Sequence, residues 1–494
     1  MKPVYLILST VSLLVGPVAS QTFRPEIPRT WAEKDVEQFE LPLAQRDRSA
    51  KHLSADQYYS LKVRPIYRSY PVYAPGREPA GYIESLKQKD PEITFDASKL
   101  VTKQEWIDAG RIVFQAETLY SPATPELIKR LASSNAPIRP DGTYTSFVPF
   151  TRYYIRAKGV LEVGINSCAG CHTRVMPDGS LLEGAQGVPN LATNPSIVIE
   201  RFRNIQADAM KQSAEGAWIS YGIPWVTSKA DFIAAFTKEQ MIRVVTAAYP
   251  SVFPRQGTSL THPPHIPSLI GIQNLRYLDA TGLVRHRSIG DLMRYAAVNE
   301  GLDTMAHYGD FQPSAHSTGF SGDEGTRYSD EQLYALSLYI YSIQPPRNPN
   351  AMDARAKRGE QVFKAQGCAG CHTPPLYTNN MLTPAAGFRV PDDLRNTDAI
   401  MDFSVGTDPT LATKTRRGTG FYKVPSLRGV WYRSGFGHAG QADTLEEWFD
   451  RARLNSDYVP KGFHIEPGPI LGHEFGLRLS ATDRDDLIAF LKTL

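Results

Sequence analysis

Two copies of one pentapeptide carry the chemistry of this chain: Cys168-Ala169-Gly170-Cys171-His172 and Cys368-Ala369-Gly370-Cys371-His372. Two thiols separated by two residues reach the two vinyl groups on one edge of a porphyrin. The His after the second thiol then lies under the iron as its proximal ligand. A lone Cys-x-x-Cys is also compatible with a redox dithiol or half a zinc site. A dithiol needs no following His, however, and a zinc site built from both pairs leaves both His residues unexplained. All 4 cysteines of the chain fall in these motifs, so none remains for a structural disulfide. The expected cofactors are two covalently bound haem c groups, one held by Cys168, Cys171 and His172, the other by Cys368, Cys371 and His372.

The elements that must position these residues come twice. Arg358-Gly359-Glu360-Gln361-Val362-Phe363 leads directly into the second motif, and Ala109-Gly110-Arg111-Ile112-Val113-Phe114 precedes the first. In the first half an insertion, Gln115 to Asn166, separates that segment from its cysteines. A second shared block follows each motif: Pro267-Ser268-Leu269-Ile270-Gly271-Ile272 and Pro425-Ser426-Leu427-Arg428-Gly429-Val430. Ser288 and Thr444 then read as helix N-caps before apolar residues at helical spacing, and Ser329 and Ser480 open the closing helix of each half. Such repetition signals an internal duplication. The expected fold is mainly α: two cytochrome c-like domains in tandem, each wrapped around one covalent haem, with an N-terminal extension and inserted loops. Strand signals are weak, apart from a candidate at Phe147 to Ile155.

The expected organisation is a signal peptide over residues 1–20, an N-terminal extension over 21–105, the first haem domain with its insertion over 106–344, a linker over 345–350, and the second haem domain over 351–494. The signal peptide rests on Lys2, an apolar run from Val4 to Val18 and small residues at Ala19-Ser20, a run short for a membrane span. Export to the periplasm follows, with no membrane anchor expected. Pro345, Pro346 and Pro349 make the linker stiff. The extension is polar and proline-containing and reads as an extended arm or irregular subdomain. A net charge of +3 on 494 residues argues against nucleic acid as a partner.

The order of haem motif, Pro-Ser-Leu-Arg-Gly-Val, Gly435-Phe436-Gly437-His438-Ala439-Gly440 and Thr444-Leu445-Glu446-Glu447 resembles the second haem domain of bacterial di-haem cytochrome c peroxidases. The same superfamily includes the di-haem enzyme of methylamine utilisation and the haem-containing rubber oxygenases. The resemblance covers roughly residues 106–494. It implies one haem with an accessible iron where peroxide or dioxygen reacts, and one that relays electrons with both axial positions filled. It also allows calcium between the domains, although no motif here supports it, and a small periplasmic cytochrome as electron donor.

The chain departs from the peroxidase pattern twice. The position fourteen residues after His438, where peroxidases carry Met and the methylamine enzyme Tyr as a ligand, is Ala452. His473 is the replacement that the resemblance to the rubber-oxygenase branch implies, with His464 as the second candidate. Peroxidases also cap the first haem with a His soon after the motif, whereas no His lies between His172 and His262. That haem is then either open or capped by His262 or His265, which otherwise brace a proline-rich loop. Trp218 and Trp225 are candidates for an inter-haem Trp or for plain core, and His438 for a propionate partner or a structural role. Met176 and Met381 read as packing, and His286 and His307 carry no readable motif.

Three functions are compatible with these residues. The first is an oxidoreductase with His172 beneath a catalytic iron and His372 and His473 on a relay iron. The second is hydrogen peroxide reduction of the peroxidase kind, and the third is a non-enzymatic di-haem electron carrier.

Overall fold

Each half is built on one helix pair. In the first, α1 (Lys103–Gln115) packs along α3 (Asp330–Ser342), and α2 (Ile289–Asn299) lies against α3. In the second, α4 (Ala354–Ala365) packs along α5 (Ala481–Leu491). This computed structural model describes residues 22–135, 147–164, 166–176, 178–187, 195–316 and 325–494. The expected signal peptide lies outside them, as does part of the insertion.

The sequence repeat becomes a repeated contact. Gly110 of α1 abuts the Ala335 carbonyl, and a Cβ there would sit 2.8 Å from that of Tyr339. Gly359 of α4, its counterpart in the repeat, abuts the Asp486 carbonyl, and a Cβ there would sit 2.8 Å from that of Phe490. Both partners stand four residues apart on their helix, so both pairs meet at the same height and on the same face. Any side chain would force the helices apart.

Local signals place the helix ends. Thr102 and Glu105 form a capping box on α1, as do Ser329 and Gln332 on α3. Ser480 accepts from the Asp483 amide at 3.1 Å, and Thr444 from that of Glu447, also at 3.1 Å. Ser288 holds the N-cap position of α2 but makes no side-chain cap bond. Residues 343–350 run without a helix, because prolines deny the backbone its amide donors.

The extension is more ordered than its composition suggested. Its strand β1 (Ser69–Tyr73) joins three strands from the insertion region: β2 (Tyr120–Pro122), β3 (Phe147–Ala157) and β4 (Val160–Gly164). The antiparallel sheet has the order β1-β3-β4-β2 and buries Val72, Tyr153, Ile155, Leu161 and Val163 with Leu86. Ala50–Lys51 pairs with His307–Tyr308, and Lys62–Val63 with Thr326–Arg327. The extension is thereby stitched into the first half. Its strands are short and their partners distant, so no local alternation announced them.

Buried charge joins the two halves. Arg255 and Arg417 converge on Asp279, Arg417 at 3.3 Å, and Arg285 meets Asp398 at 2.9 Å. Among the described residues no helix is long and apolar enough to cross a membrane.

Candidate haem centres

Each haem motif sits on a single helical turn. Residues Cys168–Cys171 form a four-residue helix in which the Ser167 hydroxyl accepts from the Gly170 amide at 3.3 Å. Cys368–Gly370 form a 3-10 turn entered through Gly367 at φ +71°, a left-handed conformation suited to glycine. One turn brings both thiols to one side and leaves the following His at its end.

The Pro-Ser-Leu blocks dock beneath both motifs. The Leu269 amide donates to Gly184 at 2.7 Å, and the Gly184 amide to the His172 carbonyl at 2.7 Å. In the second half the Leu427 amide donates to Tyr377 at 3.2 Å. His172 Nδ1 lies 3.1 Å from the Pro267 carbonyl, and His372 Nδ1 lies 3.1 Å from that of Tyr377. Since a carbonyl only accepts, Nδ1 carries the proton in each ring, and Nε2 keeps its lone pair for a metal. Burial pushes the His172 imidazole down to about 4 and also lowers that of His372. Both rings are therefore neutral at neutral pH, the form that ligates.

The second motif opens onto a cavity of about 680 Å³ lined by Cys368, Cys371, His372 and His473, with Leu427, Trp448, Ile470 and Leu487 among its apolar walls. The His372 and His473 rings face each other with centres 6.2 Å apart. A metal–imidazole bond is about 2 Å and the ring centre lies roughly 1 Å behind the nitrogen, so two imidazoles on one ion sit about 6 Å apart, centre to centre. Lys423 and Arg433 line the same cavity, and Arg433 Nε is buried without a hydrogen-bond partner. Burial pulls the Lys423 ammonium down to about 8. Two partly buried cations, one with a buried spare donor, suit the propionates of a haem. Thiols, facing imidazoles, apolar walls and cations thus fit the group that the motif implies.

Around the first motif, burial pushes the Cys171 thiol up to about 11, and Cys168 Sγ stands 3.6 Å from Glu300 Oε1. Arg64, from the extension, approaches Glu300 at 3.7 Å and Tyr328 Oη at 3.4 Å. Glu117, at the root of the insertion, is buried nearby, and burial raises its carboxyl to about 8. Neither Glu117 nor Arg64 carried a sequence signal. Only the fold brings them to Cys168.

The remaining candidates separate clearly. His464 bonds its own turn through the Gly462 carbonyl at 3.0 Å and is not among the residues lining the cavity. His265 does line the cavity and packs on Gln186, while His262 bonds Thr261 at 3.1 Å. His438 lines the cavity with its ring 5.3 Å from that of Tyr422. Trp218 is buried between Phe232 and Phe311, and Trp225 lies near Tyr308 with Arg48 over its ring. Met381 packs beside Val424, and Met176 closes a turn with Ser180. His286 is held between Leu275 and Tyr341, and His307 lies in a short strand pair. Among the described residues no group of three or more His, Cys, Asp or Glu converges as a metal cluster.

No protein-family model matches the chain. A curated relative, cytochrome-c peroxidase IdrP1 of Pseudomonas sp. (strain SCT), is 29% identical over 171 residues, covering 29% of this chain and 41% of the relative. The chain therefore matches less than half the length of that protein. Among solved structures, a hydrazine synthase from Kuenenia stuttgartiensis aligns over 61% of this chain and 92% of its own at 14% identity and a TM-score of 0.29. A MauG-like protein associated with microbial copper homeostasis aligns over 47% and 73% at 18% identity and a TM-score of 0.29. The diheme peroxidase BthA from Burkholderia thailandensis aligns over 50% and 78% at 20% identity and a TM-score of 0.26.

Proposed function

We propose that this chain, related over its matched stretch to the di-haem cytochrome c peroxidase superfamily, is an exported di-haem c-type cytochrome oxidoreductase whose halves do different work. Cys168, Cys171 and His172 hold the haem at which peroxide or dioxygen reacts. Cys368, Cys371 and His372 hold a six-coordinate relay haem, with His473 as its second axial ligand. Each half is a cytochrome c-like domain, joined through the 345–350 linker.

The observation that carries this reading is the 6.2 Å separation of the His372 and His473 rings across a cavity that also holds Cys368 and Cys371. Two imidazoles on one haem iron would leave no exchangeable position there, which suits electron transfer rather than substrate binding. Bound haem supplies the redox chemistry. The chain's own residues would orient it: Pro267 and Tyr377 fix the proximal rings through Nδ1, and Lys423 and Arg433, in the cavity wall, would offset propionate charge. The oxidant is hydrogen peroxide or dioxygen, and the electron donor is a small periplasmic cytochrome.

The test is steady-state hydrogen peroxide reduction by the purified holoprotein with a reduced c-type cytochrome as donor. Fast turnover assigns peroxide as the oxidant. Absent turnover with a high-spin first haem leaves dioxygen as the oxidant. Absent turnover with both haems low-spin overturns the enzyme reading in favour of an electron carrier.

A further inference from the structure

His473 holds an unusual backbone conformation. Its φ is +47°, in the left-handed region that side-chain-bearing residues rarely occupy, and it follows Gly472 at φ +83°. Gly472 packs against the Gly406–Thr407 backbone, leaving no room for a Cβ. The His473 amide donates to Val405 at 2.7 Å, which ties only one side of the loop. Something must hold the other side if the ring is to stay aimed at His372.

Arg453 does this. It is fully buried, although charged. Its Nη2 donates to the carbonyls of Gly472 and His473, each at 2.9 Å. Its Nη1 donates to Ile470, and its Nε to Trp448 at 2.9 Å. The guanidinium lies 4.5 Å from the centre of the Trp448 ring, and that ring is 5.5 Å from the His473 ring. The Ile470 amide returns a bond to the Arg453 carbonyl at 2.7 Å. One side chain thereby gathers three carbonyls of the segment carrying His473 and pins them to the turn at Trp448. A planar guanidinium with five fixed donors spans all four carbonyls, whereas an ammonium, with three donors on one nitrogen, reaches fewer of them.

We propose that Arg453 is the positioning residue for the second axial ligand of the relay haem: its guanidinium latches the 470–473 loop so that His473 faces His372. This rests on the reading of His473 as a ligand. It also explains how the turn containing Ala452 keeps a role in ligation without supplying a ligating atom. The residue beside Ala452 holds the loop that does.

The test is the spin state of the second haem in the holoprotein, read by electron paramagnetic resonance and visible absorption for Arg453→Met, Arg453→Lys and His473→Ala. His473→Ala is expected to convert that haem from low-spin to high-spin. Arg453→Met is expected to produce a mixture, with carbon monoxide binding to the reduced second haem where wild type binds none. Added imidazole should restore the low-spin signal, which a globally unfolded variant would not show with native circular dichroism. Arg453→Lys should fall between Met and wild type. If His473→Ala stays low-spin, the ligand reading fails. If His473→Ala turns high-spin while Arg453→Met and Arg453→Lys both remain fully low-spin and closed to carbon monoxide, the ligand stands and the latch is overturned.

Discussion

The imidazole rings of His372 and His473, separated by a hundred residues of chain, face one another with centres 6.2 Å apart and planes inclined at 56°. His372 is buried and His473 half-buried, and desolvation lowers both imidazoles, His473 to about 4. Two neutral rings at this spacing are disposed to share one ion. Replacing His473 with Ala should convert one haem of the two from low-spin to high-spin, leaving covalent haem content unchanged. Haem-stained denaturing gels and the high-spin charge-transfer absorption of the same sample measure the two quantities.

Glu117 should make stability depend on pH. Burial raises its carboxyl from 4.5 to about 8, with Ser167 and Asn166 acting the other way. Between those values the unfolded chain has released the proton and the folded chain retains it. The unfolding free energy therefore falls as pH rises from about 4.5 to about 8, by up to about 1.4 kcal/mol per pH unit from this group. The contribution is fully present below that window and fully lost above it. Glu117→Gln should remove the dependence, so the variant gains on wild type between pH 5 and pH 8. Denaturant titrations of both proteins at the two pH values give the difference directly, and equal shifts in both would refute the assignment.

Asp279 should be a stability hot spot. It sits between Arg255 and Arg417, accepts from Tyr295 at 3.1 Å, and is itself buried. Its φ of +71° is one that Asn tolerates, so Asp279→Asn removes charge while preserving the backbone. The buried Arg417 and the partly exposed Arg255 then lose their shared counter-charge, a loss of about 3–5 kcal/mol when a buried pair is broken. The exposed pair Arg46–Asp393 is the control, since Arg46→Ala should cost only about 0–1 kcal/mol. Thermal melting of the two variants should show a large drop for the first and almost none for the second.

What the sequence determined by itself was the chemistry written in short, contiguous motifs. Haem attachment depends on residues within five positions, so Cys168 to His172 and Cys368 to His372 are legible without a fold. Helix ends at Thr444, Ser329 and Ser480 were legible too, because a cap is a bond between residues three apart. The repeat placed Gly110 and Gly359 in register. It did not say that each is where two helices touch.

Tertiary structure decided everything that depends on distance through space. It set His473, the first choice by resemblance, apart from His464, the second, by their surroundings: one lines the cavity and the other turns back on Gly462. It stitched the extension into the first half through strands of two to five residues, too short to leave a periodic signal. It also brought Arg453 to the His473 carbonyl, Arg64 and Glu117 to the first motif, and Asp279 to its two arginines. Such contacts join single residues whose types are common everywhere. Their meaning lies in burial and direction, which a linear chain does not carry until packing imposes them.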